Sequence, residues 1–214
     1  MKIHTLMLGE MPTNCYIIES DKKNAVVIDA GSEGQRVLSF AKNQGLSIKK
    51  ILLTHGHFDH VGGVEEISIA TGADVLIHKE DVPMLTSENL SLAYFIPTFN
   101  FVPVSSFRII GEGDIIILDE LEFLVMHTPG HTKGGVCYIC EDVIFSGDTL
   151  FKGNVGRTDF AGGSFEQIKN SVDRIADLEG DFKVYPGHGE STTLERERKS
   201  NMYVKGNNND FNFL

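Results

Sequence analysis

The stretch Thr54-His55-Gly56-His57-Phe58-Asp59-His60 packs three histidines and a carboxylate into consecutive positions directly after the apolar run Ile51-Leu52-Leu53. Imidazole nitrogens and carboxylate oxygens are good ligands for divalent zinc, manganese or iron, and ligands drawn from adjacent positions hold an open, rigid site with room for water. His55 and His57 lie two apart on an extended segment and point the same way, whereas Asp59 and His60 are neighbours whose side chains diverge. One ion cannot easily collect all four. Two ions side by side can, one taking His55 and His57, the other Asp59 and His60.

Two centres need more ligands, and the chain supplies them in similar settings. The apolar run 123–126 ends in His127-Thr128-Pro129-Gly130-His131, the run 143–145 in Ser146-Gly147-Asp148, and the run 182–185 in Pro186-Gly187-His188. Each reads as strand, turn, ligand. Loops at strand ends converge on one spot because those ends share an edge of the sheet.

His55, His57, Asp59, His60, His131, Asp148 and His188 together match the HxHxDH...H...D...H pattern, and the chain from about Asn14 to His188 resembles the metallo-β-lactamase superfamily. Gly147-Asp148-Thr149-Leu150-Phe151, followed by Gly156-Arg157-Thr158-Asp159-Phe160, is similar to the signature of its glyoxalase II-like hydrolases. The resemblance implies an α+β fold, an αββα sandwich of two mixed β-sheets flanked by helices, with the metals at one sheet edge. It assigns His55, His57 and His131 to one ion, Asp59, His60 and His188 to the other, and Asp148 to both. Only a carboxylate suits the shared place, since its two oxygens can bind two cations about 3.5–4 Å apart around one hydroxide.

The implied cofactor is therefore a pair of divalent ions, zinc first and iron or manganese as alternatives, with Asp59 and Asp148 as the catalytic carboxylates. Water bound between two such ions ionises near neutral pH and attacks acyl carbonyls. A thiolate, whose parent thiol has a pKa near 8.5, leaves without a proton donor, which favours thioesters over lactones and other esters. Arg157 occupies the place where such enzymes carry a basic residue, and is the candidate anchor for the carboxylate of an anionic acyl thioester; an Arg157–Asp159 ion pair is the competing assignment. Longer glyoxalase II enzymes continue into a helical region that helps hold glutathione, whereas 26 residues follow His188 here. The chief rival activity is that of persulfide dioxygenases, which resemble the same subgroup but use one iron on residues matching His55, His131 and Asp148. A β-lactamase ranks lower, and a metal-stabilised scaffold or sensor is the non-enzymatic alternative.

Composition narrows the field further. At 214 residues the chain has the length of one domain and can bury roughly 70% of its unfolded surface. A net charge of −11 argues against nucleic acid, whose binding is driven by clustered Lys and Arg. No apolar segment reaches bilayer length and the N-terminus has no signal-peptide pattern, so a small-molecule substrate in the cytoplasm is expected, without a membrane partner; oligomeric state is not legible. Three cysteines fit a reducing compartment, and Cys137 and Cys140, three apart on a strand, face opposite sides and cannot grip one ion.

Periodicity predicts strands over residues 2–8, 14–19, 25–29, 49–53, 74–77, 107–110, 115–118, 121–127, 135–140, 143–145 and 182–185. Helices are predicted over 35–44, 64–70 and, with Ser164 as N-cap, 164–178, and from Thr192 or Thr193 to about 204; a helical turn is placed at 80–85. Residues 86–106, rich in aromatics and proline, form either a substrate wall or a loop packed on the core. The polar tail 206–214 is expected to be mobile. Of the remaining histidines, His127 is assigned to the core or to support of the ligands, His78 to the surface, and His4 to a strand without a partner. Asp29 is placed to accept the free N–H of a metal-bound histidine or to brace the ligand loop.

Overall fold

The computed structural model describes residues 1–206. Three strands, β1 (Lys2–Leu8), β2 (Thr13–Glu19) and β3 (Asn24–Ile28), run antiparallel. Helix α1 (Gly34–Gln44) then crosses over to β4 (Ser47–Leu52), the short α2 (Phe58–Val61) and α3 (Val64–Thr71) lead to β5 (Asp74–His78), and β6 (Arg108–Ile110) completes a sheet ordered β1-β2-β3-β4-β5-β6 whose second half is parallel.

The second sheet repeats this plan. Strands β7 (Ile115–Leu118), β8 (Leu121–His127), β9 (Val136–Cys140) and β10 (Val143–Gly147) form an antiparallel meander. A small hairpin of β11 (Leu150–Phe151) and β12 (Asn154–Val155) follows. Helix α4 (Phe165–Ala176) then crosses to β13 (Lys183–Pro186), parallel to β10, before β14 (Thr192–Thr193) and α5 (Leu194–Ser200). The sheet order is β14-β13-β10-β9-β8-β7.

Both faces of the central strands are covered, so they read as continuous apolar runs, and the period of two sorts each run into two cores. Ile18, Val26, Ile28, Leu52 and Leu76 point between the sheets, against Phe123, Val125, Tyr138 and Phe145. Their neighbours Ile17, Val27, Ile51 and Val75 point outward, under Val37, Ala41, Val64 and Ile67 of α1 and α3. On the far side, Cys137, Ile144 and Val184 pack under Ile168, Val172 and Ile175 of α4. The result is the four-layer αββα sandwich of two mixed sheets, as expected. Cys137 and Cys140 do fall on opposite faces, one under α4 and one between the sheets.

Several elements depart from expectation. The ligand stretch itself winds into α2, because Gly62 N–H closes onto Phe58 O once the extended His57 has ended the strand run. The β11–β12 hairpin, with two residues per strand, is too short to leave a periodic signal. The last helix stops at Ser200 rather than near residue 204; Asn201 folds back to accept the Tyr203 N–H at 3.0 Å, a local side-chain bond that competes with helix continuation. The mobile tail predicted for 206–214 lies, beyond Gly206, outside the described residues.

Candidate metal centre

All the predicted ligand loops meet at one edge of the sandwich. Strand β8 is parallel to β10 after two reversals, and β13 is parallel to β10 directly, so the segments after all three leave the second sheet on the same side. Across the gap, β4 delivers the histidine stretch. Hydrogen bonds clamp the sheets there: Tyr138 Oη donates to Leu53 O at 2.7 Å, Val136 N–H to Thr54 O at 2.8 Å, and Tyr16 Oη to Pro186 O at 2.6 Å. Asn14 donates both its side-chain amide to Pro186 O (3.0 Å) and its backbone N–H to Gly187 O (2.7 Å), which fixes the loop carrying His188.

The turns into Asp148 and His188 require glycine for different reasons. Gly147 sits at φ +48°, and a Cβ there would lie 2.3 Å from Thr54 Oγ1. Gly187 has no such backbone demand, but a Cβ on it would lie 2.3 Å from Asp148 Oδ1 and 2.7 Å from the His60 ring.

The seven predicted residues come together as three groups, each with ligand atoms within 4.8 Å of one another: His55, His57 and His131; Asp59, His60 and His188; and His55, His60 and Asp148. The first two groups are the expected sets. The third shows His55 lying between them, its ring centroid 4.1 Å from that of His60. Asp148 faces both sides, with Oδ1 3.4 Å from His60 Nε2 and Oδ2 3.5 Å from His131 Nε2 and 3.6 Å from His188 Nε2. Asp59 Oδ2 lies 3.2 Å from His188 Nε2, and Thr13 Oγ1 donates to it at 3.5 Å.

These residues fit divalent cations. His55 Nε2, His60 Nε2 and Asp148 Oδ1 are buried without a hydrogen-bond partner, a costly state for polar atoms that a shared cation relieves. The electrostatics point the same way. Burial, with the surrounding rings, pushes His55 well below the usual imidazole range and His57 down to about 3, leaving both as neutral lone-pair donors. On the other side, burial opposes charge on His60, yet the carboxylates of Asp148, Asp59 and Asp29 outweigh it and hold the ring well above its usual value. Burial likewise opposes ionisation of Asp148, and His60, His131 and His188 overcome it, keeping the carboxyl far below its ordinary range. One side offers lone pairs and the other calls for positive charge, the two requirements a cation meets at once.

The supporting residues are Asp29 and Asp81. Asp29 contacts both a candidate ligand and the ligand loop. Its Oδ2 lies 2.9 Å from His60 Nδ1 and accepts from Thr54 Oγ1 at 2.6 Å, while Oδ1 accepts the Thr54 N–H at 2.8 Å. Sequence reasoning missed Asp81. Buried at the foot of both ligand loops, it accepts Gly56 N–H (3.2 Å), Thr132 Oγ1 (2.6 Å) and Gly134 N–H (2.7 Å), so one carboxylate ties the loop of His55 and His57 to that of His131. Burial raises its pKa against these bonds. The signal was faint: an acidic residue in a turn, next to the sheet edge.

Other assignments need correction. His78 is only 4% exposed; its Nδ1 accepts the Glu80 N–H at 3.4 Å, capping the 3-10 turn Lys79–Thr86, and its ring stacks on His127 at 4.2 Å between centroids. His127 supports no ligand directly; its Nε2–H donates to Lys133 O at 2.9 Å. His4 does have partners, Glu19 Oε2 at 3.0 Å and the Phe40 ring. Arg157 pairs bidentately with Asp159, at 2.7 Å for both contacts, and lies 3.8 Å over the Phe160 ring. That bond draws the Asp159 carboxyl down to about 2. Within the 86–106 segment, Phe99 packs against Phe58 of α2 at 4.9 Å, while Leu92 and Phe95 line the cavity over the candidate ligands.

Fold and site together define a class. The chain belongs to the metallo-beta-lactamase superfamily, whose family model matches residues 8–188. Within it, the chain is 34% identical to hydroxyacylglutathione hydrolase GloC of Haemophilus influenzae over 210 residues, covering 95% of this chain and 98% of that one. Among solved structures, it is similar to the BLEG-1 B3 metallo-beta-lactamase, with a TM-score of 0.87 and 31% identity over 96% of this chain and 100% of the other. It is also similar to TTHA1623 in a di-iron-bound form, with a TM-score of 0.84 and 34% identity over 94% and 100%. The family, the His/Asp cluster and the di-iron neighbour support a hydrolase that uses divalent metal. Among the described residues no helix is long and apolar enough to cross a membrane.

Proposed function

We propose that this protein is a dinuclear metal-dependent hydrolase of small-molecule acyl thioesters. His55, His57 and His131 would hold one ion, Asp59, His60 and His188 the second, and Asp148 both. The observation that carries this reading is Asp148 itself, whose two oxygens face histidines of both sets while Oδ1 has no hydrogen-bond partner. A pair of divalent cations bound there lowers the pKa of water toward about 7 and polarises the acyl carbonyl.

The chain's own residues supply the rest. Asp29 fixes the ring plane of His60, and Asp81 holds the two histidine loops at a constant separation. Asp59, braced by Thr13, and Asp148 would supply the negative charge that holds the cations. Phe58, Leu92 and Phe160 close the sides of the site against bulk water. In the reaction water loses one proton to solvent and its oxygen adds to the acyl carbonyl to form the new C–O bond. Collapse of the tetrahedral adduct breaks the C–S bond, the sulfur departing with the bonding pair as a thiolate and the carboxylic acid product releasing its proton to solvent. Such a leaving group needs no acid, and this suits a cavity whose described lining offers no carboxyl or imidazole beyond the candidate ligands. The likeness to a hydroxyacylglutathione hydrolase adds support for the thioester class.

A second reading, β-lactam hydrolysis, is favoured by the likeness to the B3 enzyme. Both are tested by loading the protein with zinc, iron or manganese, counting ions per chain, and assaying thioesters, lactones, β-lactams and persulfides. Two ions per chain with thioester turnover is the expected result. One iron per chain with oxygen consumed on a persulfide would replace the hydrolase by a dioxygenase.

A further inference from the structure

The cavity over the metal cluster, about 570 Å³, has a polar floor and an apolar wall. Floor residues are the candidate ligands. The wall is made by Met11, Leu92, Phe95, Phe151, Val155 and Phe160, brought from the β1–β2 turn, the 86–106 segment, the β11–β12 hairpin and the loop before α4. Leu92 is held at φ +67°, a left-handed backbone that costs a branched side chain strain, and its side chain nevertheless lies buried on this wall.

Among the described residues lining the cavity, Arg157 is the only lysine or arginine, and its charge is already answered. Its Nε and Nη2 each donate to an oxygen of Asp159, and Phe160 covers one face of the guanidinium. The other nearby cation, Lys152, adjoining Phe151, is paired with Glu190. A carboxylate entering the mouth would meet an Arg157 already paired with Asp159, and thus little unanswered positive charge from that side chain. An alkyl or aryl group entering the same space would shed water against the wall at every carbon.

We infer that the substrate presents an uncharged, apolar group to the cavity mouth, so that the preferred thioester carries a medium-length alkyl or aryl acyl chain rather than the anionic acyl group for which Arg157 seemed the anchor. The inference rests on the thioester reading for its reaction, but the wall's preference is measurable without turnover.

The test uses the zinc-loaded full chain and two arms. In the first, butanoyl, hexanoyl, octanoyl and succinyl thioesters of one neutral thiol, N-acetylcysteamine, are compared. Each added methylene raises kcat/KM about threefold or more through KM, and octanoyl exceeds succinyl at least tenfold. Asp159→Asn, which releases Arg157, narrows that ratio by raising succinyl turnover. In the second arm, calorimetry compares 2-phenylethanethiol with mercaptosuccinate, and the aromatic thiol binds more tightly. Succinyl turnover equal to octanoyl, an unchanged ratio in Asp159→Asn, or tighter binding of mercaptosuccinate would each overturn the inference. If none of the thioesters is hydrolysed, the reaction assignment falls while the calorimetric ranking still decides what the wall prefers.

Discussion

Two histidine clusters stand at strand ends in this molecule, and they are not alike. At the candidate metal edge, five rings turn their nitrogens toward one another and toward Asp59 and Asp148, and three buried polar atoms have no partner. At the ends of β5 and β8, His78 and His127 stack face to face at 14° between planes, and their nitrogens find backbone: Glu80 N–H for one, Lys133 O for the other. A neighbouring carboxylate, Glu112, is spent on the His127 backbone N–H and on Arg174. Histidine density therefore says little alone. Lone pairs that converge without partners, opposite a carboxylate with an unsatisfied oxygen, mark a cation site.

The strongest way to break the contrast is to remove the facing carboxylate. Asp148→Asn keeps the size of the side chain but cannot bridge two cations, so metal content should fall below two ions per chain and turnover by at least about a hundredfold, with the far-ultraviolet spectrum unchanged. Elemental analysis and thioester kinetics check it. Full metal content with undiminished turnover would place Asp148 outside the site.

A smaller effect is expected from the residue behind the ligands. Asp29 has φ +56°, a conformation that asparagine tolerates, so Asp29→Asn tests the charge without disturbing the backbone. Losing the carboxylate partner of His60 Nδ1 should weaken binding of the more labile ion about 10–100-fold, as read by chelator competition. Its effect should exceed that of His127→Gln, which removes half of the other cluster. That variant is expected to retain its metals and to hold turnover within about twofold, since its ring faces away from the cation site; loss of metal in it would erase the distinction between the clusters.

The distinction was only partly legible in the chain. The seven clustered residues were, because ligand types fell at strand-turn positions four separate times, and the layer order was, because strand and helix periods alternate in two similar halves. His78 was misread because a strand end gives no period with which to judge burial; what buries it is the stack with His127, forty-nine positions on. Asp81 was missed for a related reason: its three partners lie in two distant loops, and nothing local announces a carboxylate that binds backbone amides. Arg157 was assigned as either an anchor or an ion pair, and the i, i+2 spacing to Asp159 turned out to permit a bidentate bond. Long-range satisfaction of polar groups is what a single sequence hides, while repeated local patterns are what it displays.

The smallest effect sharpens the comparison with a third histidine. His4 lies 3.0 Å from Glu19, so it has the facing carboxylate that the His78–His127 stack lacks, yet Glu19 is also bonded by Lys23 and approached by Lys2 at 3.5 Å. The carboxylate is satisfied by cations already in the chain, and so it is structural. Hydrogen bonds from Lys23 and His4 hold its pKa down at about 2, against burial. The folded value lies below the unfolded one, near 4.3; the stabilisation is therefore complete above about pH 5 and is lost as pH falls through about 2, below which both states are protonated. Glu19→Gln should accordingly lower Tm by about 2–4 °C at neutral pH, with the difference from the parent protein shrinking through that acid window and metal content unchanged throughout. A Tm gap undiminished at pH 2 would mean that packing, not charge, is what Glu19 contributes.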